Sequence, residues 1–221
     1  MPLLFSETHY SYQFYPNSIK PYHCKSVKKA IEVTGLKPNQ TIFYFAADNN
    51  ENIQNFPDAY GSLKNSGVTR INTNGVAKIY LKCPGLYYNP DDKLIHPRHF
   101  HFLYWKNGKW DLATFTNHKI FCDVNKKTLR SFIIVDALPS SYYNKKHITG
   151  AISIPHNKHH TREEVMQKLG NPNQETPIVI YCWSNECNAA HKLKEKFDKF
   201  GLYNTWHLDG GISKWKGDVS S

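Results

Sequence analysis

At 221 residues the chain has room for one large or two modest domains, and its formal net charge of +10 is spread over both halves. With no basic tract, repeat or nucleic-acid motif, specific nucleic-acid binding is not expected, and the charge reads as a solvated surface. Five cysteines at irregular spacing do not resemble a disulfide framework. With no leader-like segment and no apolar run of membrane-spanning length, they point to a soluble, cytoplasmic protein in a reducing compartment, with no membrane partner.

The first half, residues 1–123, is rich in β-branched and aromatic residues broken by turn signals. Strand-like runs are predicted at 41–46, 68–71, 76–83, 100–105 and 111–115. Asn74-Gly75 and Asn107-Gly108 are hairpin signals, and short strands at this spacing predict an antiparallel β-sandwich. The sharpest feature is His96-Pro97-Arg98-His99-Phe100-His101. On a strand, His99 and His101 point to one face, as a sheet presents paired imidazoles to one metal ion. The competing reading is two histidines kept on a sandwich strand for structure.

From Gly67 the run G-V-T-R-I-N-T-N-G-V-A-K-I-Y-L-K-C-P-G-L-Y, followed by H-P-R-H-F-H, resembles the core of the intradiol ring-cleaving dioxygenases. That resemblance implies a ferric ion held by two tyrosines and two histidines, activating a catechol. The matching positions are His99, His101 and Tyr87, with Tyr60 upstream, and Tyr88 replaces Tyr87 if the register slips by one. The family's arginine before the proline is His96 here.

A boundary is expected near residues 121–127, followed by an α/β domain over 124–221. An apolar strand at 132–135 ends in Asp136, and His147 to Ala151 leads into a strand at 152–154 closed by Pro155. Strand 178–181 delivers Cys182 into the loop Trp183-Ser184-Asn185-Glu186-Cys187. A helix follows, from Ala189, Ala190, Leu193, Phe197 and Phe200 at three- and four-residue intervals. Asn188 is its expected N-cap and Gly201 its C′ residue. A strand at 206–208, the Gly210-Gly211 turn and a last short helix complete the domain.

A thiol at a strand-to-helix corner faces backbone N–H groups with no partner, and those donors with the helix dipole favour a thiolate. Cys182 is therefore the candidate nucleophile, with 183–188 as its loop. Cys187 either resolves a persulfide on Cys182 into a disulfide or packs as a small buried hydrophobe. Trp183 is a lid or a packed aromatic. Asp136 and His147 read as structural.

V-D-A at 135–137, H-I-T-G-A-I-S-I-P at 147–155, P-I-V-I-Y-C at 177–182 and L-D-G-G-I-S-K-W at 208–215 together resemble a single rhodanese-like domain of the sulfurtransferase family. The resemblance implies a central parallel sheet and Cys182 as the persulfide-forming residue, with no cofactor required. It also implies a small sulfur donor or persulfide-bearing protein as one partner and a thiol acceptor as the other. The loop carries Glu186 and no Lys or Arg, and Leu138 stands where an arginine is often found. A carboxylate there repels the thiosulfate dianion by about 1 kcal/mol in water and by more where water is scarce, so a persulfide donor is expected. Two alternatives stay open: a ferric oxygenase with an accessory rhodanese-like module, and a binding protein whose cysteine is inert.

Overall fold

The computed structural model describes residues 31–48, 53–56, 58–61, 63–124, 129 and 131–221, in two compact units, 1–120 and 121–221. Residues 125–127 of the expected boundary lie outside the described set. Among the described residues, no helix is long and apolar enough to cross a membrane.

Unit 1 is built from nine described strands. They are β1 (Ile31–Val33), β2 (Thr41–Ala46), β3 (Gln54–Asn55), β4 (Ser66–Arg70), β5 (Ala77–Ile79), β6 (Tyr87–Asn89), β7 (Leu94–His96), β8 (His99–Lys106) and β9 (Lys109–Lys119). A four-stranded antiparallel sheet has the order β4-β2-β8-β9, beside a β3-β6-β7 sheet and a β1-β5 pair. Along β2, Ile42, Tyr44 and Ala46 enter one apolar cluster with Ala77 and Ile79, while Phe43 and Phe45 enter another with Phe56 and Tyr87. The central strand is thus buried on both faces, which is why it reads as an unbroken apolar run.

The Asn107-Gly108 hairpin joins β8 to β9, with φ of 52° and 77° at the two turn residues, the left-handed pair such a tight turn requires. Asn74-Gly75 behaves differently. The Asn72 side chain accepts the Asn74 and Val76 amides, but β4 pairs with β2 and β5 with β1, so the flanking strands do not form a hairpin. The strand expected over 76–83 is ordered as such only at 77–79. The Tyr80 and Lys82 amides go to side chains instead, Tyr44 Oη at 3.3 Å and Asn65 Oδ1 at 2.9 Å.

Unit 2 contains β10 (Asp123–Val124), β11 (Ile133–Asp136), α1 (Ser140–Tyr143), β12 (His147–Ile148), β13 (Ile152–Ser153), α2 (Arg162–Lys168), β14 (Ile178–Tyr181), α3 (Ala189–Lys199), β15 (Thr205–Leu208) and β16 (Val219–Ser220). A parallel sheet runs β10-β15-β14-β11-β13. Asp123 pairs with His207, so this unit begins before the expected residue 124. All four residues of central β14 are buried, each apolar one stabilising the sheet by about 1.5–3 kcal/mol.

Helix α3 lays Ala189, Ala190, Leu193 and Phe197 into the core. It ends at Gly201, φ 80°, with the Leu202 amide donating to the Phe197 carbonyl at 2.9 Å. Its start departs from expectation. Asn188 has helical backbone angles and makes no capping hydrogen bond. Helix α2, unread in the sequence, carries a capping box in which Thr161 and Glu164 satisfy each other's amides. Cys83 and Cys122 each take part in a disulfide, although the cysteine spacing resembles no disulfide framework. Cys182 and Cys187 are free.

Candidate functional site

Strand β14 carries Cys182 to the C-terminal edge of the parallel sheet, where ligand sites of open α/β sheets gather. The side chain is fully buried. Its Sγ–H donates to the Cys187 carbonyl at 3.1 Å and the Ser184 carbonyl at 3.4 Å, so the loop curls over the sulfur with acceptors rather than with amides alone. Burial pushes the thiol up to about 12, with the Ala190 amide pulling the other way and the neighbouring Cys187 sulfur adding to the rise. Burial thus favours the thiol form of Cys182, against the thiolate that a helix start alone suggests.

Cys187, half-buried, goes the other way. Burial raises it, but hydrogen bonds from the Ala189 and Trp183 backbone and from the Cys182 thiol outweigh that and hold it below the ordinary range. The helix start therefore favours a negative sulfur at Cys187 through the Ala189 amide, and acts on Cys182 through the Ala190 amide against a larger effect of burial.

The loop is gripped from one side. Asn185 donates to Asp209 Oδ1 at 2.8 Å and accepts the Gly210 amide at 2.6 Å. The Ile212 and Ser213 amides donate to the Cys182 and Trp183 carbonyls at 3.0 and 2.9 Å. Gly211 sits at φ 57°, where a Cβ would strike the Cys182 carbonyl oxygen and lie 2.8 Å from the Trp183 carbonyl. Asp209 and Gly211 are thus loop-shaping residues that a reading centred on 182–188 does not find, although the Asp-Gly-Gly spelling signals a tight turn.

Trp183 is 53% exposed, so it is not a packed core aromatic. Glu186 is exposed, and hydrogen bonds from the Ser184 hydroxyl and its own amide hold its carboxyl below the usual range, with Lys214 adding to the effect. Asp136 Oδ1 accepts the Leu138 amide at 2.7 Å, and His147 Nδ1 donates to the Tyr143 carbonyl at 2.9 Å. Both shape turns.

In unit 1, four side chains from three segments converge. Tyr60 Oη lies 3.2 Å from His99 Nε2 and 3.1 Å from His101 Nε2, and Tyr87 Oη lies 3.4 Å from His99 Nε2. Of the two adjacent tyrosines, Tyr87 is the one that joins this group. His99 Nδ1 donates to the Pro97 carbonyl at 2.6 Å, leaving Nε2 as a bare lone pair aimed at the phenols. Burial holds His99 down to about 4 and Tyr87 up to about 12. Two imidazoles and two phenols are a donor set that a hard trivalent cation fits, since it takes phenolate oxygen and imidazole nitrogen together. Among the described residues, no group of three or more His, Cys, Asp and Glu is placed to hold a metal ion, so the tyrosines are required for one. His96 stacks on the Tyr87 ring, with centroids 4.8 Å apart, and pairs with Asp92 at 2.9 Å.

Unit 2 is an α/β domain with a cysteine loop at the edge of a parallel sheet. Residues 123–218 match the family model of the rhodanese-like domain, and this part of the chain is a rhodanese-like domain. Among curated proteins, it is similar to the "Adenylyltransferase and sulfurtransferase UBA4" of Saccharomyces cerevisiae, 29% identical over 96 residues, covering 41% of this chain and 21% of that protein. The chain thus spans about a fifth of the length of the curated relatives it matches. Among solved structures, the BH2092 protein of Bacillus halodurans is 33% identical, covering 45% of this chain and 76% of that one, with a TM-score of 0.38. The rhodanese-like domain of the Alr3790 protein from Anabaena sp. is 23% identical, covering 42% and 89%, with a TM-score of 0.33.

Proposed function

We propose that the chain is a sulfur carrier in which Cys182 accepts a sulfane sulfur from a persulfide and passes it to an acceptor thiol. The observation that carries this reading is the enclosed Cys182 sulfur at the sheet edge, ringed by loop carbonyls and reached by the Ala190 amide. In uptake, the Cys182 sulfur attacks the outer sulfur of the donor persulfide. A new S–S bond forms, the donor's S–S bond breaks, and the departing donor sulfur takes up the proton that Cys182 gives up, leaving as a thiol. An ionised Glu186 with no arginine in the loop disfavours thiosulfate, which brings two negative charges of its own. Trp183, exposed at the loop, offers a surface for an apolar part of the donor or acceptor. The UBA4 relative, named as a sulfurtransferase, supports the same reading. The test is intact-mass analysis after incubation with cysteine persulfide. A one-sulfur adduct is expected, mapped to Cys182 and absent from Cys182→Ser. An adduct that survives that substitution counts against the assignment.

A second reading applies to unit 1, on the convergence of Tyr60, Tyr87, His99 and His101. We read the unit as a β-sandwich whose four-residue cluster holds a ferric ion. Such an ion supplies Lewis-acid activation of a catechol-like ligand. The protein's part is to keep the His99 imidazole neutral, to surrender the two phenolic protons, and to wall the site with Phe45 and Phe56, which pack on His101 and Tyr60. Ferric titration of the purified chain is expected to give a phenolate-to-iron absorption band that Tyr60→Phe and Tyr87→Phe each weaken. Failure to retain iron through desalting sinks this reading without touching unit 2.

A further inference from the structure

Resting on the carrier reading, we propose that Cys187 is a resolving thiol: it attacks Sγ of persulfidated Cys182, closes a Cys182–Cys187 disulfide and expels the carried sulfur as hydrosulfide. The geometry is that of a pair. The loop brings the Cys187 carbonyl to 3.1 Å from Cys182 Sγ, and each of the two thiols shifts the ionisation of the other. These are also the free thiols among the described residues.

The step balances. Cys187 loses its proton to solvent, and its thiolate forms a bond to Cys182 Sγ. The bond from Sγ to the sulfane sulfur breaks, and its electron pair leaves with that sulfur. The two cysteines are oxidised by two electrons and the sulfane sulfur is reduced by two. An external dithiol then returns the disulfide to its starting state.

Two features favour attack at Sγ over attack at the outer sulfur. Attack at the outer sulfur expels Cys182 as a thiolate, and a thiol that burial holds at about 12 is a poor leaving group. Attack at Sγ expels hydrosulfide, the conjugate base of a much stronger acid. The nucleophile is supplied by the sulfur that the Ala189 and Trp183 backbone keeps ionisable. The division of labour follows: Cys182 holds sulfur in a dry niche, and Cys187 ends the hold.

The experiment loads the full chain with cysteine persulfide, desalts it at once, and follows intact mass and trapped hydrosulfide beside Cys187→Ala and Cys187→Ser. The native chain is expected to shed its adduct without added thiol and to end two hydrogens lighter, with a Cys182–Cys187 linked peptide. Both variants are expected to keep the adduct at least about tenfold longer, until a dithiol is added. Equal release from all three chains overturns the resolving role and leaves Cys182 as carrier. No adduct on any chain, Cys187→Ala included, overturns the carrier reading and the resolving role with it.

Discussion

At pH 7, iodoacetamide is expected to modify Cys182 on the order of a thousandfold more slowly than a free cysteine, with Cys187 reacting first. The thiolate is the reactive form. A thiol whose ionisation is raised to about 12 holds far less of it at neutral pH than one ionising at about 8.5. The sign follows from burial: the charged form is penalised, so reactivity rises with pH, roughly tenfold per unit, and stays on that slope until about 12. A free thiol levels off several units earlier. Peptide mapping after timed alkylation at several pH values reads both sites at once. A Cys182 rate that plateaus near pH 8 or below means that the loop amides outweigh burial, and the resting thiol of this structure is wrong.

Gly211→Ala is expected to destabilise unit 2 by about 2–6 kcal/mol, the sum of two separate costs. The backbone at φ 57°, ψ −158° lies in a region nearly closed to residues with a Cβ, at about 1–3 kcal/mol. The added methyl also meets the Cys182 and Trp183 carbonyls. These are backbone atoms that cannot swing away, and overpacking of this kind costs about 1–3 kcal/mol more. Gly201→Ala is the control. It shares a positive φ, of 80°, but has open space around it, so about 1 kcal/mol is expected. Urea unfolding separates the two variants. Relief of the clash by loop displacement would also make Cys182 easier to alkylate in Gly211→Ala, and equal stability loss in both variants would show that the close approach to Cys182 is not rigid.

The parallel half of the molecule was plain in the sequence because central strands covered on both sides are written as continuous apolar runs. Ile178 to Tyr181 is such a run, and its register with β11 and β15 follows once it is central. Helix α3 was plain for a related reason: one apolar stripe, a lysine-rich face and a terminal glycine. What could not be read was how the two sulfurs divide the charge. A thiol at the start of a helix feels amides that lower its ionisation and burial that raises it, and which wins depends on depth. Cys182 and Cys187, five positions apart, fall on opposite sides of that balance. In unit 1, the pairing of His99 with His101 was legible from strand alternation, but Tyr60 joins them from a turn, and no periodicity announces that. The choice of Tyr87 over Tyr88 rested on a one-residue register, which only strand pairing with β7 decides.

The grip of Asp209, Gly210 and the Ile212 and Ser213 amides on the cysteine loop also sets an order of events at the ribosome. Cys182 emerges first, and the segment that shapes its surroundings leaves the exit tunnel only later. Until then the nascent sulfur lacks the partners that quiet it, and it meets the oxidants and electrophiles of the cell as an unguarded thiol.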